Sequence, residues 1–352
     1  MLTRRHLAAL PLLLGARRAA AQGRFAGETL RIGTFGGTNA EAIRAAVEPK
    51  FAEAGAKLEF VTGSPQDNMA KVIASMRGRG EPPVDAFEIL GAMIPQVQAL
   101  NLLAELDYGL LPNARALEPG QRMPKLVAIW TTQEMIVANA AKLAEIGMTP
   151  PSTLQEQADP RLRGRVMIPD ISSGGGLEAV GAFARAAGGS ETNIAPGLAL
   201  IRSIEGLRLW KAGGEVVTAF KSGDIWVAVA HAGWAVRTVY AGVPVVSTPA
   251  RLGANIGLIK EGYMGIVRTS RKQALAAFYI DAYLDAATQY QMTVKTGTVP
   301  VSPAARVSLS DVAVVRDQMV LDPARIAAMT RIDFSKVDLA DWNDQWNRAI
   351  TR

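Results

Sequence analysis

There is no cysteine in this chain of 352 residues, so a disulfide framework, a thiolate metal site and the thioether of a lipoprotein anchor are all excluded. Histidine is nearly as scarce. Of two in the sequence, His6 lies in the first few residues, leaving His231 alone in the body of the protein. One imidazole and no thiol cannot make a zinc site of the usual ligands, and no metal or other cofactor is expected. There is no GxSxG, HExxH or GxxxxGK[ST] signature, so no catalytic residues are expected and the chain does not read as an enzyme. No Lys/Arg block with interleaved aromatics occurs beyond the first twenty residues, which argues against nucleic acid as a partner. Long apolar runs are missing as well. Residues 7–15 are apolar but too few to span a bilayer, and residues 226–232 and 256–263 are strand-length.

What is present begins with an export signal. Arg4 and Arg5 precede the short apolar run, and Ala19-Ala20-Ala21 supplies small residues for cleavage, so residues 1–21 read as a signal peptide. The arginine pair and the positive Arg17-Arg18 near the cleavage site are compatible with either the twin-arginine or the general secretory route. The expected location is the periplasm. Losing Arg4, Arg5, Arg17 and Arg18 lowers the formal charge from +6 to +2 and leaves 331 residues, enough for two substantial cores.

Residues 30–35 read as a strand broken by Gly36-Gly37. Residues 40–54 follow with Ile43, Ala46, Val47 and Phe51 at helical spacing, Pro49 being the point where that helix could kink or end. Strands at residues 57–61 and 84–90 alternate with helices at 67–76 and 92–100, the pattern of βαβ units. Further strands are expected at 130–139, 165–168, 216–220, 225–230 and 243–246, with helices at 177–187 and 234–241. Beyond residue 267 the chain reads as helical, most clearly at 273–288, 323–329 and 339–350. In the last of these, Leu339, Trp342, Trp346 and Ile350 share one face and are expected in the core, as are Trp130 and Trp226. Asp281 and Asp285 read as a solvated helix face. The fold class is α/β: residues 22–133 and 262–352 form a first domain, and residues 134–261 are inserted as a second. Crossovers near 132–134 and 258–261 act as the hinge of an interdomain cleft.

Taken in order, residues 30–37, Phe51, and residues 101–107, 163–170, 240–245, 261–263 and 341–347 resemble the periplasmic solute-binding proteins of ABC importers. The branch is the one that contains the spermidine/putrescine binders. The resemblance implies a two-domain periplasmic-binding-protein fold of type II, a small-molecule ligand, an ABC permease in the inner membrane and a monomeric protein. Carried over, the ligand contacts are Phe35, Gly36, Gly37, Ser64, Leu90 and Gly91 from the first domain. Asp170, Ser172, Ser173, His231, Trp234 and Glu261 face them from the second. Asp170 and Glu261 imply a cationic, polyamine-like ligand, with Trp234 and Phe35 over its apolar part. The pattern departs from the branch at His231, Leu90, Gly91 and Ile259, where polyamine binders carry aromatic or polar residues. That thins the aromatic cage.

An anion is the alternative. Residues 172–176, Ser-Ser-Gly-Gly-Gly, precede a helix and would aim hydroxyls and free N–H groups at it. The same stretch sets Gly174, Gly176 and Ala179 at dinucleotide-fingerprint spacing, but no strand ending in an acid follows about twenty residues later. A periplasmic enzyme or a ligand sensor on the same fold remains the reading from another class.

Overall fold

The computed structural model describes residues 23–76, 78 and 80–350; the expected signal peptide lies outside them. The first lobe opens with β1 (Thr29–Thr34), α1 (Thr38–Glu53), β2 (Lys57–Thr62), α2 (Pro65–Ser75) and β3 (Ala86–Leu90). β1 pairs in parallel with both β2 and β3, as βαβ units require. Ile43, Val47 and Phe51 form the buried face of α1, which runs through Pro49 without ending there. A short helix α3 (Ile94–Ala99) follows, then the twelve-residue strand β4 (Val127–Ala138), every residue of which is buried.

The second lobe contains α4 (Ala140–Glu145), β5 (Val166–Pro169), α5 (Gly176–Ala186), α6 (Ala195–Arg202), β6 (Arg208–Trp210), α7 (Gly214–Ser222), β7 (Val227–His231), α8 (Ala232–Tyr240) and β8 (Val246–Pro249). A small hairpin, β9 (Arg251–Leu252) and β10 (Asn255–Ile256), leads into the long strand β11 (Leu258–Ile266). One nine-stranded sheet runs through both lobes in the order β2-β1-β3-β11-β4-β7-β5-β6, with β8 on the second half of β4. β4 and β11 are antiparallel, Leu258 opposite Glu134 and Glu261 opposite Thr131, so both expected crossovers lie side by side in the sheet.

Three elements differ from the sequence reading, the first being the strand expected at 243–246, which lies at Val246–Pro249. Residues 216–220 are helical, within α7: Val216, Ala219 and Phe220 are buried, a spacing of i, i+3 and i+4 that suits a helix and not a strand. The expected helix at 273–288 is two, α9 (Gln273–Leu284) and α10 (Ala286–Thr296), broken at Asp285, whose extended backbone lets its carboxylate accept from Ala287 N–H and Thr288 N–H. Its supposed neighbour on a solvated face, Asp281, instead accepts from Asn113 N–H at 2.8 Å and is half-buried.

The chain ends with α11 (Pro303–Leu309), α12 (Ala313–Gln318), α13 (Pro323–Ala327) and α14 (Leu339–Ala349). α12, α13 and α14 pack into the second-lobe cores, while α11 also packs against α10. Trp342 and Trp346 lie in one core with Ile136, Phe183 and Val227, and Leu309, Val315 and Met319 lie in another with Val216, Ala228 and Val236. The first-lobe core instead closes with α9, α10 and Val301. A third crossing therefore occurs near Val299, whose N–H and C=O bond Thr131 of β4 at 2.8 and 2.9 Å. Leu339, expected on the buried face of α14, is 39% exposed, because the helix turns only Trp342 and Trp346 inward. Trp226 is half-buried, with Arg165 stacked 4.8 Å from its ring centre. No helix among the described residues is long and apolar enough to cross a membrane.

Candidate functional site

Between the lobes lies a cavity of about 870 Å³. Its first-lobe wall is the turn from β1 to α1, where Gly37, at φ 58°, takes a backbone conformation that side chains resist and leaves the start of α1 with no side-chain cap. Phe35, Gly36, Gly37, Thr38 and Asn39 stand there, with Leu90 and Trp130 beside them. Under this wall sits Glu88, 1% exposed. It accepts a short hydrogen bond from Thr34 and one from the Trp130 indole N–H at 2.9 Å; Asn39 Nδ2 reaches Thr34 Oγ1 at 3.1 Å. Glu88 thus fixes the plane of one cleft aromatic and the position of one cleft amide.

Burial pushes the Glu88 carboxyl above its ordinary range, against the hydrogen bonds from Thr34, Trp130, the Phe35 N–H and Asn39 that pull it down. A folded-state value above the unfolded one means the folded chain keeps a proton that the unfolded chain releases. Stability is then full below the ordinary carboxylate value and falls as pH rises through the raised one. Glu88→Gln keeps an acceptor for the Trp130 indole N–H, and its amide can donate to the Thr34 hydroxyl in place of accepting from it. It is expected to flatten this decline in melting temperature, measured from mildly acidic to neutral pH; an unchanged slope would reject the assignment.

The second-lobe wall is built from the ends of β6 and β7 and the helices after them. Trp210, Lys211, Gly213, Gly214, Thr218 and Lys221 come from the first pair, and His231, Gly233, Trp234 and Arg237 from the second. α7 and α8 begin at Gly213 and His231, neither of which caps its helix with a side chain, and α5 begins likewise at Gly175 beside the cleft residue Gly174. A Cβ on Gly213 would run into the Trp234 indole, so glycine is required for that ring to lie where it does. The Arg237 guanidinium stacks 4.2 Å from the centre of the same ring, and its Nε is buried with no hydrogen-bond partner. Desolvation lowers its pKa from the ordinary arginine value.

Lys260 of β11 forms the floor. It is 7% exposed; its ammonium donates to Gly174 C=O and stands 3.3 Å from His231 Nε2 and 4.0 Å from Glu178. On the far side of the imidazole, Glu134 Oε1 comes within 2.5 Å of His231 Nδ1, although neither is aligned well enough to count as a hydrogen bond. The edge of Trp210 meets the same ring. Lys211, Lys221, Arg237 and Lys260 thus all face the cavity, and among the described residues no aspartate or glutamate lines it. Among the described residues, Lys211, Lys221 and Arg237 have no carboxylate partner for their side chains.

Of the twelve residues expected at the site, the cavity wall contains Phe35, Gly36, Gly37, Leu90, His231 and Trp234. The other six stand elsewhere. Ser64 caps α2, its Oγ accepting from Asp67 N–H at 3.1 Å. Asp170 accepts from the N–H and hydroxyl of Ser172 at 2.9 and 2.5 Å, and Ser173 Oγ accepts from Gly175 N–H, so these three stabilise a turn behind Gly174. Glu261 accepts from Arg331 Nε at 2.8 Å and, with Gly91, faces a separate cavity of about 310 Å³, where Phe334 packs on Gly91. The cause is strand alternation: neighbouring residues of β11 point to opposite faces, so Lys260 takes the cleft and Glu261 the back. Trp130, Trp210, Lys211, Arg237 and Lys260 were missed. A conspicuous signal exists for only one of them, the Lys260-Glu261 pair at the expected crossover.

No protein-family model matches the sequence, and no curated protein is significantly similar to it. Solved structures share its fold. An ABC transporter substrate-binding protein from Bradyrhizobium japonicum superposes with a TM-score of 0.73 at 15% identity, covering 92% of this chain and 100% of that one. The periplasmic binding protein AgtB from Agrobacterium tumefaciens R10, solved with agropinic acid, gives 0.68 at 18% identity over 92% and 97% of the two chains. The Atu4243-GABA receptor gives 0.71 at 18% identity over 90% and 95%. The chain therefore has the two-lobed α/β fold of solute-binding proteins.

Proposed function

We propose that the protein is a periplasmic solute-binding protein that closes on a small anionic solute and delivers it to an ABC permease, acting as a monomer and without a chemical step. The observation that carries the ligand class is the charge of the cleft: four cationic side chains on its wall and, among the described residues, no carboxylate. The uncapped starts of α1, α7 and α8 add partial positive charge on the same wall. This favours the anion over the amine that Asp170 and Glu261 imply in the sequence, since those two carboxylates are engaged by Ser172 and Arg331 outside the cavity. The structure of this fold solved with agropinic acid supports an acid as a ligand type, while a structure of the same fold described as a putative spermidine/putrescine ABC transporter means that the fold alone does not choose one. The proposed domain boundary follows the cores: residues up to about 131 with 262–301 on one side of the cleft, and the remainder on the other.

A thermal-shift screen of polyamines, quaternary amines, amino acids, organic acids and phosphonates tests the reading. An acid at about a hundred times its dissociation constant should stabilise the folded state by about 2.7 kcal/mol and raise the melting temperature accordingly. Shifts with amines and none with acids would sink it.

A further inference from the structure

Resting on the anionic reading of the cleft, we infer that His231 couples binding to a proton: an anion seated at Lys260 is bound together with one proton, which the His231 imidazole takes up and presents as a second positive charge. His231 and Lys260 both line the cavity, and each is backed by a buried acid that does not. Glu134, 4% exposed, stands 2.5 Å from Nδ1 of the imidazole, and Glu178, 5% exposed, stands 4.0 Å from the Lys260 ammonium. The Gly175 backbone closes over the first pair so tightly that a Cβ there would meet both His231 and Glu134. Among the described residues, no hydrogen bond reaches either carboxylate oxygen of Glu134, so the imidazole is the group placed to balance its charge.

Without a ligand, the neighbour on the other side keeps the proton off. The Lys260 ammonium is 3.3 Å from Nε2, a separation that suits an ammonium donating to a neutral ring and repels an imidazolium. Lys211, Lys221 and Arg237 stand on the same cavity wall and add to that repulsion, while Asp170, past the end of β5, is engaged by Ser172. An anion on Lys260 cancels the repulsion, and Glu134 is already in place for the second charge. Imidazole is the side-chain type that makes such an exchange near neutral pH. Linkage is reciprocal, so an anion that draws a proton onto His231 is itself held more tightly as pH falls.

The test uses sulfate, methanesulfonate and benzenesulfonate, which stay ionised between about pH 5 and 8, so any proton taken up on binding goes to the protein. His6 and His231 are the two histidines of the chain, and the NMR ring signals of His231 are those that remain in His6→Gln. At neutral pH, an anion that raises the melting temperature should move these signals toward their acid-side positions. The same anion should bind about tenfold tighter at about pH 5.5 than at about pH 8. In His231→Gln that ratio should fall toward one, and Glu134→Gln supplies the same readout should the first variant not fold. Stabilisation by an anion with the His231 signals unmoved, or with equal affinity at the two pH values, would overturn the inference and leave the anionic cleft standing. So would His231 signals already at their acid-side positions at neutral pH with no anion added. Stabilisation by spermidine and by none of the anions would overturn both readings. Failure of all three anions to move the signals would overturn this one.

Discussion

Lys260→Met is expected to weaken binding of the acid identified by screening by about ten- to a hundredfold, the equivalent of about 1.5–3 kcal/mol for a hydrogen bond to a charged group. Lys260 is the cleft cation with the least freedom. Its ammonium is tied to Gly174 C=O and faced by His231 and Glu178, so it is already placed when a ligand arrives and loses little entropy on binding it. Lys211 and Lys221, both exposed, should matter less, because solvent screens them and their side chains must be ordered. Methionine keeps the length and the apolar stem of lysine, so the packing of the floor survives. The comparison that decides is calorimetry of Lys260→Met beside Lys221→Met at neutral pH. Equal, small losses from both would mean that the cleft attracts anions diffusely and that Lys260 has no special part.

Trp342→Ala is expected to destabilise the fold by about 3–5 kcal/mol, the range for removing a buried tryptophan from a core. Trp342 is 1% exposed, donates its indole N–H to Glu191 C=O at 2.9 Å and packs with Trp346 against the second-lobe core. The loss combines a cavity with an acceptor left unpaired. Denaturant unfolding measures it. A change below about 1 kcal/mol would mean that α14 is an appendage, contrary to its burial. Folded Trp342→Ala should still bind ligand with near-normal affinity, since neither tryptophan of α14 lines the cleft.

Much of the fold could be read from the sequence because it is locally encoded. The β1–Gly36-Gly37–α1 unit follows from an apolar strand, two glycines and a helical period, and β4 and β11 are legible from their apolar ends, which flank the polar stretches Thr131–Glu134 and Lys260-Glu261. Where local signals conflicted the reading failed: Val216, Val217 and Thr218 are β-branched, yet burial at helical spacing overrode that preference in α7. The cleft was half legible. Its glycine turns and the His231–Trp234 loop follow from position at strand ends. Its charges do not, because Lys211, Lys221, Arg237 and Lys260 come from separate elements and meet only in three dimensions. Trp130 reads as core from its strand-like run and is buried as expected, but a strand position does not separate a packed ring from one whose last exposed edge lines the cleft.

The three crossings between lobes also set an order for synthesis. A chain emerging from the ribosome cannot complete the first-lobe core until Val301 has appeared, although its opening βαβ units were made some two hundred residues earlier. The second-lobe core must wait longer still, for Trp342 and Trp346. Neither lobe can therefore mature while the other is unmade. The second keeps an unfinished apolar face until the last helix is released, a long interval in which a holding chaperone has something to grip.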